Sequence, residues 1–228
     1  MIEAVIFDLD DTLHDEVNYC MSGFTAVARF LAGSLRTLSA ERIFDACRRE
    51  FTAGNRTRTF NTAMGKLGIK YDDNSVQQLI QVYRSHSPKI ALPHDSQQVL
   101  SQLSSKYTLA LLTDGFMPAQ KLKVEALGIG NYFKSIIYTE ELGRECWKPS
   151  AAGFEKLMET LNCKGDSMVY VADDETKDFI APNKLGMGTI QVVRAARLHT
   201  GSSNLPGAAA QYRIGNIGEL PDLLDRIS

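Results

Sequence analysis

The sequence predicts an α/β fold, a doubly wound parallel sheet that carries an inserted α-helical domain. After residue 92, short apolar runs alternate with helical patterns, which is the order typical of parallel strands with helices on both faces. Between residues 15 and 88, apolar side chains recur only at helical spacing, over a stretch far longer than an ordinary connection between strands. We therefore predict a core from residues 1–14 and 89–228 and a helical domain from residues 15–88.

The first predicted strand is the apolar run from Ala4 to Phe7, which ends directly in acidic residues. Asp8 and Asp10 lie two positions apart, so in an extended chain their side chains point to the same side. Two close carboxylates repel each other unless a cation lies between them, and strand ends are where open α/β sheets bind ligands. This stretch predicts a metal site with a nucleophilic carboxylate, although a polar turn after an edge strand has a similar composition.

The inserted domain is predicted to contain four helices, because apolar residues recur every three or four positions between helix start and stop signals. Ser39 marks one start, while Gly54 and Gly68 mark two ends. The four helices are predicted at residues 17–35, 39–53, 59–67 and 74–86.

The predicted core continues as regular alternation of helix and strand up to the C-terminal helix. The strands are expected at residues 108–112, 135–138, 168–172 and 189–193, with a further short strand at 212–214. The helices are expected at residues 95–103, after Gly115 up to 127, and at 150–161, 179–185 and 217–227.

Composition narrows the classes of partner and compartment. The 228 residues are 44% hydrophobic and 23% charged, with a formal net charge of -2, so neither nucleic acid nor a membrane is expected as a partner. The four cysteines and four histidines show no metal or redox spacing. We see no signal peptide and no membrane-spanning run, and therefore expect a cytoplasmic protein with reduced thiols. The oligomeric state is not predicted.

Polar side chains follow four of the predicted strands, and in a parallel sheet these ends meet at one edge. Carboxylates suit Mg²⁺, a hydroxyl beside backbone N–H groups can hold an anion, and a lysine supplies a positive charge for phosphate. Together they are the parts needed for phosphoryl transfer through a carboxylate. The residues are Asp8, Asp10, Thr113, Asp114, Lys148, Asp173 and Asp178.

These stretches resemble the four ordered motifs of the haloacid dehalogenase (HAD) superfamily of phosphatases. The motifs are Asp8-Leu9-Asp10-Asp11-Thr12, Thr113-Asp114-Gly115, Lys148-Pro149 and Asp173-Asp174-Glu175-Thr176-Lys177-Asp178. The resemblance covers nearly the whole chain and implies a Rossmann-like core with a helical cap of the C1 type. One departure is Ala172, which stands where the family usually has glycine before the acid.

The resemblance implies a Mg²⁺-dependent phosphatase that hydrolyses a small phosphate monoester, a sugar phosphate or a nucleotide, through an aspartyl-phosphate intermediate. Asp8 would be the nucleophile, and Asp10 the general acid and then the base. Thr113 and Asp114 would hold the phosphoryl group, while Lys148 would orient phosphate and nucleophile. The implied metal ligands are Asp8, the backbone carbonyl of Asp10, Asp173, and Asp178 directly or through water.

Alternatives stay open at this point. A hydrolytic 2-haloacid dehalogenase would also use the first aspartate, and a non-catalytic binding or regulatory member would have the same fold. Phosphoryl transfer to a second substrate is a further possibility. We expect Asp11 and Asp174 to support the loops, and His14 to pack. Arg56 and Arg58 in the helical domain are candidates for gripping a second anionic group of the substrate.

Overall fold

The computed structural model describes residues 1–35 and 37–228, and in it the chain forms two compact units. The first unit contains Met1–Val17 and Ala91–Ser228, and the second contains Asn18–Ile90. The second unit interrupts the first near its N-terminus. Its function as a cap stays a prediction.

The first unit is built on a parallel sheet of six strands in the order β3-β2-β1-β4-β5-β6, which confirms the predicted fold class. The strands are β1 (Ala4–Phe7), β2 (Thr108–Thr113), β3 (Ser135–Tyr138), β4 (Met168–Ala172), β5 (Gly188–Val192) and β6 (Tyr212–Ile214).

The central strand β1 lies between β2 and β4, and all four of its residues are buried. Both faces of such a strand are covered, which explains its unbroken apolar run. In the register of the sheet, Phe7 lies beside Leu111 of β2 and Val171 of β4. The Asp8 N–H then donates to the Val171 carbonyl over 2.9 Å, which holds Asp8 at the carboxyl edge of the sheet.

Helices connect these strands, and their bounds lie within one or two residues of the predicted ones, except that the helix predicted after Gly115 begins only at Ala119. The last predicted helix is a 3₁₀ turn at Ile217–Glu219 followed by an α-helix, because Asn216 and Glu219 form a capping box there. The helices of the first unit are α5 (His94–Leu103), α6 (Ala119–Leu127), α7 (Ala152–Leu161), α8 (Ile180–Lys184) and α9 (Leu220–Ile227). On one side of the sheet, Tyr170 packs edge-on against Phe154 with ring centroids 4.8 Å apart.

The second unit contains helices and no strand within residues 18–35 and 37–90, as the sequence predicts. The Ser39 and Asp72 side chains accept hydrogen bonds from the first turns of the helices that follow them. The Tyr83 ring packs directly against Gly23, where a Cβ would lie too close to the ring atoms. The helices are α1 (Glu16–Leu35), which begins in the first unit, α2 (Ala40–Thr52), α3 (Thr59–Lys66) and α4 (Asp73–Ser85).

None of the helices in the described parts of the chain combines the length and apolar character needed to cross a bilayer.

Candidate active site

A cavity of about 350 Å³ opens at the carboxyl edge of the sheet in the first unit. Loops after β1, β2, β3 and β4 contribute to its walls, as the parallel topology requires. Thr113 and Asp178 do not line the cavity, but both are buried and lie next to residues that do. The predicted residues that line it are Asp8, Asp10, Asp114, Lys148 and Asp173.

Asp8 belongs to a buried network that is centred on one lysine. The Lys148 ammonium lies 2.8 Å from Asp8 Oδ1 and 2.8 Å from Asp178 Oδ1. It also donates to the Tyr170 hydroxyl over 2.9 Å. These three contacts match the three donors of an ammonium group, so Lys148 is held firmly beside the predicted nucleophile.

Burial and the neighbouring charges shift the pKa values of Asp8 and Lys148, the two members of this network that line the cavity. Burial, together with the negative charge of Asp178, raises the pKa of Asp8 to about 7, although Lys148 opposes the rise. Burial disfavours the charged form of Lys148 as well, but Asp178 and Asp8 outweigh it and raise the pKa of Lys148 well above its usual value. Lys148 is therefore a permanent cation at neutral pH.

Three carboxylates form a cluster that fits a divalent cation. Asp8, Asp173 and Asp178 each place one oxygen within 4.8 Å of the other two. Burial and the charges of the other two acids raise the pKa of Asp173 to about 9. Asp173 Oδ2 is buried and lacks a hydrogen-bond partner among the described residues. A cluster of mutually repelling oxygen ligands with an unused buried oxygen is the donor set that Mg²⁺ prefers.

Asp10 lies in a second network with a lysine of its own. The Lys123 ammonium is 2.7 Å from each of the two Asp10 carboxylate oxygens. The Gln120 amide donates to Oδ2 over 2.9 Å, and His14 Nε2 lies 2.9 Å from Oδ1. Burial alone would raise the pKa of Asp10, but the charge of Lys123 and the hydrogen bonds from His14 and Lys123 hold it well below its usual range. Asp10 is therefore ionised in this arrangement.

The loop after β2 presents the residues predicted to hold a phosphoryl group. Gln120 donates to Thr113 Oγ1 over 2.6 Å and to the Asp114 carbonyl over 2.8 Å. The Asp114 carboxylate accepts from the Thr139 hydroxyl over 2.8 Å, so this side chain supports the loop. Gly115 has a φ of 143°, and the Gln120 side chain occupies the space that a Cβ would need.

The acids next to the named ones support the loops, as predicted. Asp11 has a φ of 53°, and its carboxylate accepts from the Glu16 N–H over 2.8 Å and the Leu198 N–H over 2.5 Å. It thereby ties the loop after β1 to the chain that follows β5. Asp174 accepts from both the N–H and the hydroxyl of Thr176.

His14 packs as expected, since its ring is buried, but Nε2 also lies 2.9 Å from the Asp10 carboxylate, a contact that the sequence did not predict. In the second unit, Arg56 and Arg58 are exposed, and the Arg56 guanidinium lies 5.5 Å from the centre of the Phe51 ring. Their suggested part in substrate binding stays a prediction.

Sequence reasoning missed Gln120, Lys123 and Tyr170. A signal for Lys123 exists: it lies four residues from Ala119 and four from Leu127, on the buried face of α6. A charged residue at a core-facing position indicates a paired ion. Tyr170 stands in an apolar strand with no such signal, because tyrosine is common in buried strands.

Comparison with known proteins shows which family the chain belongs to. The family described as "Haloacid dehalogenase-like hydrolase" matches residues 5–192. Glyceraldehyde 3-phosphate phosphatase of Methanopyrus kandleri is 30% identical over 203 residues, which cover 85% of each chain. Ribulose-1,5-bisphosphate 5-phosphatase of Halopiger xanaduensis is 25% identical, over 98% of this chain and all of that one.

Among solved structures, the HAD-hydrolase YfnB from Bacillus subtilis, bound to magnesium, superimposes with a TM-score of 0.68 at 19% identity. The match covers 98% of this chain and 99% of that one, and it shows the shared fold. The family match confirms the resemblance seen in the four motifs and the prediction of an enzyme. The chain belongs to the family of haloacid dehalogenase-like hydrolases.

Proposed function

We propose that the protein is a Mg²⁺-dependent phosphatase that hydrolyses small phosphate monoesters through an aspartyl-phosphate intermediate on Asp8. One observation carries the proposal: Asp8 and Asp10 line one cavity, and their pKa values are shifted in opposite directions. Two carboxylates whose surroundings separate their pKa values are typical of a site that divides nucleophilic and acid/base roles. The names of the relatives favour a sugar phosphate over a nucleotide as the substrate.

In the first step, Asp8 attacks phosphorus and the bond to the ester oxygen breaks. Lys148 holds Asp8 Oδ1 at 2.8 Å, which leaves Oδ2 to form the bond. The Thr113 hydroxyl and the Asp114 N–H bind the phosphoryl oxygens, and Lys148 neutralises part of their charge. The leaving alkoxide takes a proton from Asp10.

Asp10 needs a proton for this step, whereas its contacts in the structure favour the carboxylate. A phosphate group brings negative charge next to Asp10, which raises the pKa of a neighbouring carboxyl. In the second step, the Asp10 carboxylate takes a proton from water as that water attacks phosphorus. The bond between phosphorus and the Asp8 oxygen breaks, which releases inorganic phosphate and restores the Asp8 carboxylate. The hydrogen bonds to Asp10 favour its carboxylate form, which is the form that the second step requires.

Four groups would hold the metal: the carboxylates of Asp8 and Asp173, the backbone carbonyl of Asp10, and Asp178 directly or through water. Both Asp178 oxygens already have partners, Lys148 at 2.8 Å and the Asp174 N–H at 2.9 Å, which favours the contact through water. When bound, Mg²⁺ supplies positive charge that offsets the charge of the phosphoryl oxygens.

A dehalogenase is the main rival, because it would also use Asp8 as its nucleophile. Halide leaves without a proton, so that reaction has no use for an acid two residues further along. It also has no use for the cation that we propose at the cluster of Asp8, Asp173 and Asp178. The Asp10 and Asp173 surroundings therefore favour the phosphatase.

A turnover screen tests the proposal. Glyceraldehyde 3-phosphate, other sugar phosphates, nucleoside monophosphates and an aryl phosphate are incubated with and without Mg²⁺, and free phosphate is measured. We expect release from at least one small ester, dependent on Mg²⁺ and absent in Asp8→Asn. Halide release from 2-haloacids, or undiminished turnover in chelator, contradicts the proposal. No turnover of any ester, the aryl phosphate included, indicates a binding member of the family.

A further inference from the structure

Two buried polar side chains on α6 contact the site, although neither belongs to the four motifs. Lys123 is 3% exposed and Gln120 is 2% exposed, one helical turn apart on the same face. Burying an ammonium costs several kcal/mol unless it is paired. An apolar side chain at position 123 would pack a helix against a core without this cost, so the presence of lysine calls for another reason.

The contacts of Lys123 supply that reason, because they fix one carboxylate in place. The ammonium spans both oxygens of Asp10 at 2.7 Å each, and Gln120 adds a hydrogen bond to Oδ2. A carboxylate held at both oxygens cannot rotate about its side-chain torsions without breaking these contacts. His14 also contacts Asp10, but it lies four residues away on the same loop and moves with it. Helix α6 is a separate element, and its Lys123 and Gln120 therefore anchor the Asp10 carboxylate independently of the loop that carries it.

Gln120 extends the anchor to the predicted phosphate-binding hydroxyl. Its amide nitrogen lies within hydrogen-bond distance of three acceptors: Asp10 Oδ2 at 2.9 Å, Thr113 Oγ1 at 2.6 Å and the Asp114 carbonyl at 2.8 Å. A carboxylate and a carbonyl only accept, so the nitrogen must face them. Thr113 Oγ1 accepts from Gln120, and its own hydrogen donates to the Asp114 carbonyl over 3.4 Å, a long hydrogen bond that a phosphoryl oxygen can replace.

We infer that Lys123 and Gln120 are positioning residues for the reaction, holding the Asp10 carboxylate and the Thr113 hydroxyl at a fixed separation. Lys123 sets the direction of the carboxylate toward the ester oxygen, and Gln120 sets the direction of the hydroxyl hydrogen. This inference rests on the proposed function, because it assigns Asp10 to proton transfer and Thr113 to phosphate binding. Neither residue touches the reacting atoms itself.

The test compares Lys123→Met with Lys121→Met, which changes an exposed lysine of the same helix. Alkyl phosphates need a proton on the leaving oxygen, whereas aryl phosphates need it far less, so a displaced Asp10 affects the two unequally. We expect kcat for alkyl phosphates to fall about 10- to 100-fold in Lys123→Met, within the range of a weakened general acid. The aryl-phosphate burst should fall much less, and Lys121→Met should match the wild type.

A double variant separates positioning from a general loss of structure. If Lys123 acts through Asp10, Lys123→Met adds little further loss in an Asp10→Asn background, because the interaction it serves is already gone. Equal slowing of alkyl and aryl phosphates by Lys123→Met, or full additivity with Asp10→Asn, overturns the inference. If Lys123→Met is poorly folded, Gln120→Met is tested instead. KM should rise because Thr113 loses its hydrogen bond from Gln120, and kcat should fall for alkyl phosphates as in Lys123→Met.

A crystal structure of the Lys123→Met protein gives a readout that does not depend on turnover. The Asp10 carboxylate should leave its present direction, and an Asp10 side chain in the same rotamer contradicts the inference. A wild-type protein without phosphatase activity refutes the proposed function, whereas an active wild type with an unchanged alkyl-to-aryl ratio in Lys123→Met refutes only the positioning role.

Discussion

Asp8 and Asp10 leave β1 two residues apart, and each contacts its own buried lysine, yet their pKa values move in opposite directions. Lys148 is shared between Asp8 and Asp178, so Asp8 receives only part of its charge. Lys123 spans both oxygens of Asp10, which also accepts hydrogen bonds. The pKa of Asp8 is raised to about 7, while that of Asp10 is lowered.

The difference teaches that burial alone does not set the role of a carboxylate. Burial raises the pKa of both groups, and the balance of neighbouring charges then decides the outcome. Around Asp8 negative charges prevail, so a bound cation would favour the ionised form of this predicted nucleophile. Around Asp10 positive charge prevails, which favours the carboxylate form that can accept a proton. Each of the following predictions tests one side of this contrast.

The largest effect is expected for Asp8→Asn. The amide is nearly the same size as the carboxylate but is a poor nucleophile, so kcat should fall by roughly 10⁶-fold, the scale of loss for a nucleophile in other hydrolases. Steady-state phosphate release measures it, with the exposed Asp166→Asn as the matched control. Appreciable activity in a clean Asp8→Asn preparation rules out the covalent mechanism.

The next largest effect is expected for Asp10→Asn. Asp10→Asn removes the proposed general acid and base, so alkyl phosphate hydrolysis should slow by roughly 10²- to 10⁴-fold. With an aryl phosphate, the first step should survive and the breakdown of the aspartyl-phosphate should become limiting. A burst of aryl alcohol followed by slow turnover is the expected trace, and alkyl turnover at the wild-type rate contradicts it.

The sequence alone predicted the sheet and the residues at its carboxyl edge, but not the opposite pKa shifts of Asp8 and Asp10. The strands were visible because buried parallel strands are continuous apolar runs, and parallel topology then places residues such as Thr113 and Lys148 at one edge. The opposite pKa shifts of Asp8 and Asp10 depend on contacts more than a hundred residues away in sequence. The sequence does not show which distant residue pairs with which carboxylate, even where a buried charge such as Lys123 could be recognised from its position on the helix.

A smaller loss is expected for Tyr170→Phe. The Tyr170 hydroxyl accepts from Lys148 over 2.9 Å, and hydrogen bonds to charged groups contribute about 1.5–3 kcal/mol. Losing it should loosen Lys148 and lower kcat about tenfold or somewhat more, while the ring stays packed against Phe154. Tyr212→Phe, on an exposed strand residue, is the control. If kcat is unchanged, Asp8 and Asp178 suffice to hold Lys148.

The last prediction concerns the stability of the metal-free protein, where the effect of the carboxylates around Asp8 should be measurable without turnover. Burial and neighbouring acids raise the pKa of Asp173 from 3.8 to about 9 in the folded state. Between those values the folded form binds a proton that the unfolded form has lost, so the free energy of unfolding should fall as pH rises from about 4 to about 9. Asp8, with a folded pKa of about 7, adds to the fall below that pH.

Saturating Mg²⁺ should oppose this fall, because it binds the ionised carboxylates of the folded form only. At a hundred times Kd the added stability is about 2.7 kcal/mol, or about 2–4 °C in Tm for each kcal/mol. The gain should be larger at pH 9 than at pH 5, where the cation must displace the proton on Asp173. Asp173→Asn should flatten the metal-free pH profile and remove most of the Mg²⁺ shift, whereas Asp166→Asn should keep both. A metal-free Tm that rises from pH 5 to pH 9 contradicts the acidic balance assigned to this half of the site.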